Sequence, residues 1–450
     1  VILSKAIPLT LRRVALAVGA ICALAGSASA MSLQQAYEAA LKNDPAYRMN
    51  FYENEFGKEN RILGRAGLLP NVSASYSANR NRADVDAIDS LGRNSLTHPN
   101  YISRSTAVQL RQPIVNLEAI ARYRQGAAQT KQSAAQFEAN TGEVVLRVVG
   151  AYADTLFADD QLALAQVQRN LYQEQQKVNQ RLFEKGEGTK TDMLETQARL
   201  DLSEAQLLES QDNLTAQRNT LEGVVGMDVG TLDKLAPDFH FDTLSPATFE
   251  EWKAIALANN HDLQAARLGV EAARLEIGKQ RAGHAPRLDF VATYSKGDSE
   301  TLNTYTQDTV NRSIGIQLNV PLYAGGAVNA TTRQAVASYE RAKADLDVKT
   351  NKILIELRKA HDLVASSVAR VGALVKATES GKELMKATEQ SIKGGVRINL
   401  DLLNAQQQLF ASQRDLAQAR YSYLLGVLRL RAAAGTLDGG NVREIAAYFR

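Results

Sequence analysis

Cysteine is all but missing from these 450 residues: there is one, Cys22. It falls inside a start that reads as a secretory signal, with Lys5, Arg12 and Arg13 as its positive region. Val14 to Ala25 form a short apolar stretch, and Ala28-Ser29-Ala30 a small-residue cleavage site. A membrane anchor fits less well, because that stretch is too short to span a bilayer. Ile21 stands where a lipid-attachment signal needs a small residue, so Cys22 is not read as a lipidation site. After removal of residues 1–30 no thiol would remain, which excludes disulfides and cysteine-ligated metals. Charge of one sign is lacking too. Three of the 52 basic residues leave with the signal, giving 49 bases against 49 acids and no basic footprint for nucleic acid. Past residue 30 there is no apolar run of roughly 18 residues, which excludes a membrane-spanning helix. Aromatics make up 6% of a chain that is 45% hydrophobic, much of it alanine; this favours close-packed helical layers over one thick core.

Proline occurs nine times, at 8, 45, 70, 99, 113, 237, 246, 286 and 321. The stretches after Pro113 and after Pro321 therefore hold no obligatory helix breaker. Residues 117–185 run without a stop, predicting a helix about 100 Å long at 1.5 Å per residue. Such a helix needs neighbours along its length, as in a coiled coil or helical barrel.

What is present is present twice. A shift of 216 lays SLQQAYEAALKNDP from Ser32 on TFEEWKAIALANNH from Thr248, and Ala66, Gly67 and Pro70 on Ala282, Gly283 and Pro286. A shift of 208 brings Arg104, Ser105, Gln109, Leu110 and Pro113 onto Arg312, Ser313, Gln317, Leu318 and Pro321. A shift of 209 carries Gly186, Asp192, Leu194, Gln197 and Leu200 onto Gly395, Asp401, Leu403, Gln406 and Leu409. A duplicated chain suits a symmetric wall or tube better than an enzyme. The reading is residues 31–237 as a first structural repeat and 238–450 as a second. Each carries a β-hairpin, at about 70–115 and about 286–323, with helices on either side.

Turns around 185–190 and 394–399 are each followed by a heptad. Met193, Leu200, Leu207, Leu214 and Leu221 match Leu402, Leu409, Leu416, Tyr423 and Leu430. Three residues after these stand mostly small side chains: Thr196, Ser203 and Ser210, then Ala405, Ser412, Ala419 and Gly426. A strict seven-residue period implies a left-handed supercoil, and the large/small alternation lets helices approach closely. An ordinary amphipathic helix with a core stripe is the blander account.

Four segments switch to period two. They are Val72 to Asn79, Val108 to Arg111, Leu288 to Ser295 and Ser313 to Leu322. This alternation marks a transmembrane β-strand, and equally a soluble half-buried sheet. Two hairpins cannot close a barrel alone, and lipid does not tolerate open edges, so a membrane reading requires several copies to share one barrel. The connections at 82–102 and 297–309 are polar and long, as outward loops are.

Other signals point away from chemistry. The histidines at 98, 240, 261, 284 and 361 have no metal spacing and read as surface residues. GEGTKT from Gly186 lacks the glycine that a phosphate loop needs before its lysine. Asp159 and Asp160 read as a hydrated helix face, and Trp252 as packing. No nucleophile, base and orienting group form a set, so no enzyme, metal or cofactor is expected.

The order of these pieces resembles the TolC family of outer-membrane channel proteins. The residues that carry it are SLQQAYEAALKNDP, RAGLLPNVSASYS, VPLYAGG from Val320, GVRINLDLLNAQQQLF from Gly395 and ARYSYLLGVLRLRAAAGTL from Ala419. The resemblance covers nearly all of the chain after residue 30. It implies a mainly α fold with a β-barrel portion: a homotrimer whose twelve-stranded outer-membrane barrel, four strands per chain, continues into a long periplasmic α-helical barrel with coiled-coil tips. It further implies contact with outer-membrane lipid, a periplasmic adaptor and an inner-membrane transporter of the ABC or RND type, in a Gram-negative cell. The function it implies is the exit duct of an export system, with type I protein secretion placed first. A multidrug efflux component is the alternative within the family, and a secreted structural coiled-coil protein the alternative outside it. At the periplasmic entrance, Asp401 matches a constricting acidic ring. Asn404 stands where the pattern has a second acid, implying weaker cation selectivity. Arg397 matches an arginine that ties to Asp192 as a latch. Solvated helix-end charges are the bland reading of all these residues.

Overall fold

Ser32 starts the first helix with a reciprocal cap. Its hydroxyl accepts the Gln35 amide at 3.2 Å, and the Gln35 side chain accepts the Ser32 amide at 3.1 Å. At the matching place in the second copy, the Thr248 amide and hydroxyl donate to Glu251 at 3.3 and 2.6 Å. The two helices that follow are α1, Leu33–Asn43, and α5, Phe249–Asn259, eleven residues each. The computed structural model describes residues 30–88, 91–236, 239, 244–300 and 306–450. The signal reading, Cys22, Pro237 and His240 lie outside the described residues.

Element order repeats along the chain. After α1 come α2 (Pro45–Ala66), β1 (Asn71–Arg82), β2 (Val85–Ile88), β3 (Asn94–Thr97), β4 (Asn100–Val115), α3 (Leu117–Glu184) and α4 (Lys190–Val225). After α5 come α6 (His261–Arg281), a short 3-10 turn, β5 (Arg287–Glu300), β6 (Thr306–Asn319), α7 (Ala327–Lys393), α8 (Asn399–Ala434) and a closing α9 (Gly439–Ala446). The proline-free stretches form single helices of 68 and 67 residues, α3 and α7. Two details differ from the sequence reading. The connection at 82–102 contains the small β2–β3 hairpin. β4 ends at Val115, as expected, and passes Pro113 with a register shift between Pro113 and Val115, because a proline without an amide hydrogen is accommodated at a bulge. β6 stops at Asn319, short of Leu322.

The chain divides into two compact units, and neither is a sequence repeat. One gathers the residues up to Asn50, Ala139–Asn260 and Ile353–Arg450; the other is Phe51–Glu138 with His261–Lys352. Each unit takes comparable pieces from both copies, because the copies complete each other's layers. In the second unit the four long strands form one antiparallel sheet in the order β1-β4-β5-β6, so the β4–β5 ladder joins the two hairpins. That seam is fastened by the buried Asp289. Its carboxylate accepts Arg111 Nε at 3.0 Å and also Arg111 Nη2, and lies 3.3 Å from Arg287 Nε.

In the first unit the heptads are the seam. Leu200, Leu214 and Leu221 on α4 and Leu402, Leu409, Tyr423 and Leu430 on α8 are buried, as are the small residues Thr196, Ser203, Ala405 and Ala419 between them. α3 contributes a third line at the same period: Val144, Ala151, Ala158, Ala165, Tyr172 and Asn179, all buried. Tyr152 anchors the surrounding core, its hydroxyl donating to the Met31 carbonyl at 2.9 Å. Trp252 packs with Ala256, Leu357 and Leu430, and its Nε1 donates to the Pro246 carbonyl at 2.7 Å.

Both α4 and α8 end on a glycine with positive φ, Gly226 at 73° and Gly435 at 72°. At Gly435 a Cβ would lie 2.5 Å from the Asn260 Cα and 2.6 Å from the Asn259 carbonyl oxygen, so backbone blocks it. At Gly186 a Cβ would meet nothing within 4 Å although φ is 77°. Gly186→Ala therefore carries only the conformational cost, about 1–2 kcal/mol. Gly435→Ala adds the clash and should cost at least about 2 kcal/mol more. Chemical denaturation of the two variants, compared by midpoint at equal slope, measures the difference.

Candidate functional site

The four-stranded sheet sorts its side chains by register. On one face Val72, Leu110, Ala292 and Ile314 stand in one rung, and Ala74, Val108, Tyr294 and Arg312 in the next pair out. Phe290 pairs with Ile316 and Leu288 with Leu318 on the same face. These apolar side chains are uncovered: Ile314 is 78% exposed, Ile316 69%, Val72 63% and Leu318 62%. From the Leu288 rung to the Lys296 rung is about 27 Å along the strands, or about 21 Å after a tilt near 40°. That approaches the height of a membrane barrel's apolar band, about 25 Å. A contiguous patch of this kind on a soluble surface would drive aggregation.

The other face is hydroxyl and amide. Its rungs read Ser73–Gln109–Thr293–Ser313, Ser75–Ala107–Ser295–Asn311 and Ser77–Ser105–Gly297–Thr309. None of these carries a charge, and many are small. The charges on this face cluster near its helix end, where Arg111 and Arg287 flank Asp289. Such a lining offers hydrogen bonds to water everywhere and a strong grip nowhere.

The second candidate region is the pair of turns. Each closes with two equivalent hydrogen bonds, Gly186 to Phe183 and Glu187 to Leu182 in one copy, Gly395 to Ile392 and Val396 to Ser391 in the other. The helices that follow start differently. Thr189 caps α4 in a box with Asp192: the Asp192 amide donates to the Thr189 hydroxyl at 3.1 Å, and that hydroxyl donates to the Asp192 carboxylate at 2.6 Å. At the matching place α8 has Ile398, with no side-chain cap. Asp401 is thus an acid in the first turn of a helix whose start is uncapped, a position where the helix dipole favours its charge.

Among the described residues no ion pair joins Arg397 and Asp192 within the chain: Asp192 is engaged by Thr189, and Arg397 is exposed. Asn404 is held by Arg199, whose Nη2 donates to its Oδ1 at 3.2 Å while Nη1 reaches Gln407. Just inside the turns lies a buried polar layer that sequence reasoning missed. Asn179 Nδ2 donates to Thr196 Oγ1 at 2.7 Å, Asn399 Nδ2 donates to the same oxygen at 3.1 Å, and Thr196 passes its own proton to the Asp192 carbonyl at 2.8 Å. Gln175 Nε2 completes the layer on Asn399 Oδ1 at 3.0 Å. Three helices, α3, α4 and α8, are tied at one level. The signal was available: Asn179 follows Tyr172 by seven residues, a polar residue in an apolar seam.

Similarity to known proteins agrees with this geometry. Residues 36–227 and 252–436, most of the chain, match the family described as outer membrane efflux protein.

The chain belongs to the outer membrane efflux protein family.

Within this family it is similar to the alkaline protease secretion protein AprF of Pseudomonas aeruginosa, with 40% identity over 94% of this chain and 88% of that one. It is 37% identical to the proteases secretion protein PrtF of Dickeya chrysanthemi over 94% and 92% of the two chains. Among solved structures, the outer membrane protein VceC of Vibrio cholerae superposes with a TM-score of 0.76 at 18% identity, covering 90% of this chain and 96% of that one. The fold is therefore that of the outer-membrane channels, and the chain is an outer-membrane protein. No helix among the described residues is long and apolar enough to cross a membrane.

Contacts within the chain place the residues set aside earlier. Asp159 and Asp160 are not a hydrated face. Lys234 sits 2.9 Å from Asp159, and the Tyr421 hydroxyl donates to Asp160 at 2.9 Å. Burial raises the Asp160 carboxyl above the usual range, while the Tyr421 hydrogen bond and Lys234 pull it partly back. Burial likewise raises the Tyr421 hydroxyl, with Asp160 adding to the shift. His361 is mostly covered, its ring 5.9 Å from Phe249, rather than a free surface residue.

The uneven capping of the two turns has a measurable outcome. Thr189→Ala removes a cap worth about 1 kcal/mol, so amide exchange over 190–193 should quicken roughly fivefold. Ile398→Thr installs the missing hydroxyl opposite Asp401, and exchange over 399–402 should slow. Hydrogen–deuterium exchange read by mass spectrometry reports both.

Proposed function

We propose that three copies of this chain close their sheets into one twelve-stranded outer-membrane barrel and act as the exit duct of a type I protein secretion system. The observation that carries this is the pair of open edges. Among the described residues β1 is hydrogen-bonded only to β4, and β6 only to β5, so strands of 12 and 14 residues each leave one side unpaired on a sheet whose face is apolar. In lipid every unpaired backbone group costs several kcal/mol. Pairing β6 of one copy with β1 of the next removes both edges, and three copies satisfy the reading of twelve strands. The hydroxyl-rich, small-residue face, charged only near its helix end, then lines the bore, which suits passage of an extended polypeptide without selection by sequence. Similarity to protease secretion proteins supports protein cargo. The duct catalyses nothing; a periplasmic adaptor and an inner-membrane transporter supply docking and energy.

The tip turns serve as the periplasmic entrance in this reading. Asp401 from each copy forms an acidic ring, in which like charges favour cation binding. Asn404, neutral and held by Arg199, leaves one acidic ring rather than two. Arg397 and Asp192, exposed and partly exposed at the two turns, act as a latch between the two repeats when they pair, each pair contributing about 1 kcal/mol or less.

The assembly should fractionate with the outer membrane and run as a detergent-resistant trimer that dissociates on heating; a soluble monomer would remove the proposal. In a host lacking its own duct, co-expression with a protease transporter and adaptor should restore protease release. Restored dye efflux without protease release would instead assign a multidrug role. In planar bilayers Asp401→Asn should lower cation preference. Arg397→Ser with Asp192→Ala should raise conductance, while Thr189→Ala, which disturbs the same cap but no tip charge, should not.

A further inference from the structure

The hairpin end of the lipid-facing side carries a cation on each of the four long strands, one each on β6, β5 and β4 and two, Arg80 and Arg82, on β1. Arg312 on β6 stands in the rung with Tyr294, Val108 and Ala74. Lys296 on β5 stands one outward rung higher, opposite Thr106 and Val310; Arg104 on β4 is higher again, opposite Ala78 and Asp298; and Arg80 on β1 is higher still, opposite Ile102. The four form a diagonal that climbs from β6 to β1. The lower edge of the apolar band climbs the same way, from Leu318 and Leu288 to Val72, which lies two outward rungs above them. In a closed barrel the strands tilt and their register staggers from one strand to the next, so a line at one membrane height crosses the rungs diagonally. The cations therefore form a level line along one rim of the band.

Three further observations say what the line fits. Between the helix end and Arg312 this face holds no charged residue, so the cations belong to one leaflet only. Along β5 and β6 the acids Asp298 and Asp308 lie beyond the cations, toward the hairpin ends, leaving lysine and arginine nearest the hydrocarbon. Arg104 shares Asp298 at 3.5 Å, while Lys296 and Arg312 enter no ion pair among the described residues. Arg312 instead lies 5.8 Å from the centre of the Tyr294 ring, above a shallow apolar cleft formed by Val108, Leu110, Ala292 and Ile314. Guanidinium and ammonium groups at a hydrocarbon edge match phosphate oxygens, and the cleft beneath matches an acyl chain.

We propose that Arg80, Arg104, Lys296 and Arg312 bind the phosphates of a multiply phosphorylated lipid in the leaflet at the hairpin ends, forming a belt around the barrel. This rests on the trimeric barrel proposed above. Purified trimer in detergent is exposed to a diphosphorylated glycolipid, to the same glycolipid after phosphatase treatment, and to inorganic phosphate. Native mass spectrometry counts retained lipid, and the heat-dissociation temperature of the trimer is followed alongside. The diphosphorylated form should be retained and raise that temperature; the treated form and free phosphate should not. The triple variant Arg104→Gln, Lys296→Gln, Arg312→Gln should lose at least tenfold in retention, and lysine at 104 and 312 should restore most of it. Should the triple variant not assemble, single Lys296→Gln and Arg312→Gln variants should each lose two- to fivefold. Equal retention by the variants, equal retention of the dephosphorylated lipid, or the same stabilisation by inorganic phosphate overturns the lipid belt. Absence of any trimer in the unmodified protein overturns the duct reading instead.

Discussion

Backbone hydrogen bonding in lipid is the constraint on which the rest depends. A four-stranded sheet satisfies its interior ladders and leaves two rows of amides and carbonyls without partners. Water would solvate those rows, but a sheet whose apolar side chains are aligned across every seam cannot remain in water either. The two demands conflict for one chain and agree for a ring of copies. Even the buried Asp289 fits this logic, since it pins β4 to β5, the ladder that unites the two copies within the sheet. With that seam secure, each chain offers a preformed arc with complementary ends.

The helical unit meets a different problem with the same device of repetition. Alanine-rich helices bury little area per residue, so stability has to come from length and regular spacing. Lines at a seven-residue period on α3, α4 and α8 supply it. The polar layer of Asn179, Thr196 and Asn399 interrupts this apolar regularity close to the turns. Every member is satisfied, so the layer imposes register: sliding any helix by a turn would bury unpaired amides, at about 1–3 kcal/mol each. Apolar seams alone would tolerate such a slip.

Much of this was legible before any coordinate. The absence of proline announced the long helices, and the 209-residue shift announced that α4 and α8 begin and end in step, at Lys190 and Asn399 and at Val225 and Ala434. The period-two segments located all four long strands, because one face must be apolar, but missed the start of β4 by eight residues and that of β6 by seven, where the alternation gives way to polar and charged side chains. What escaped depended on partners distant in sequence. Arg199 gives no local sign that it will hold Asn404. Tyr421 gives none that it will meet Asp160 across 261 positions. The compact units were hidden for the same reason, since each is assembled from pieces of both copies. The polar layer is an intermediate case: its spacing was visible on α3, but only packing shows that Thr196 and Asn399 complete it. The entrance residues were named from resemblance, and the single chain places them at the turns without joining Arg397 to Asp192.

Duplication supplies two versions of every part, and the two need not stay equal. The hydroxyl of Thr189 has no counterpart at Ile398, so one helix start is capped by its own side chain and the other is not. The difference rests on one side chain, with no change in helix length, register or seam. Two turns built to one plan can thus differ in how readily their first residues open.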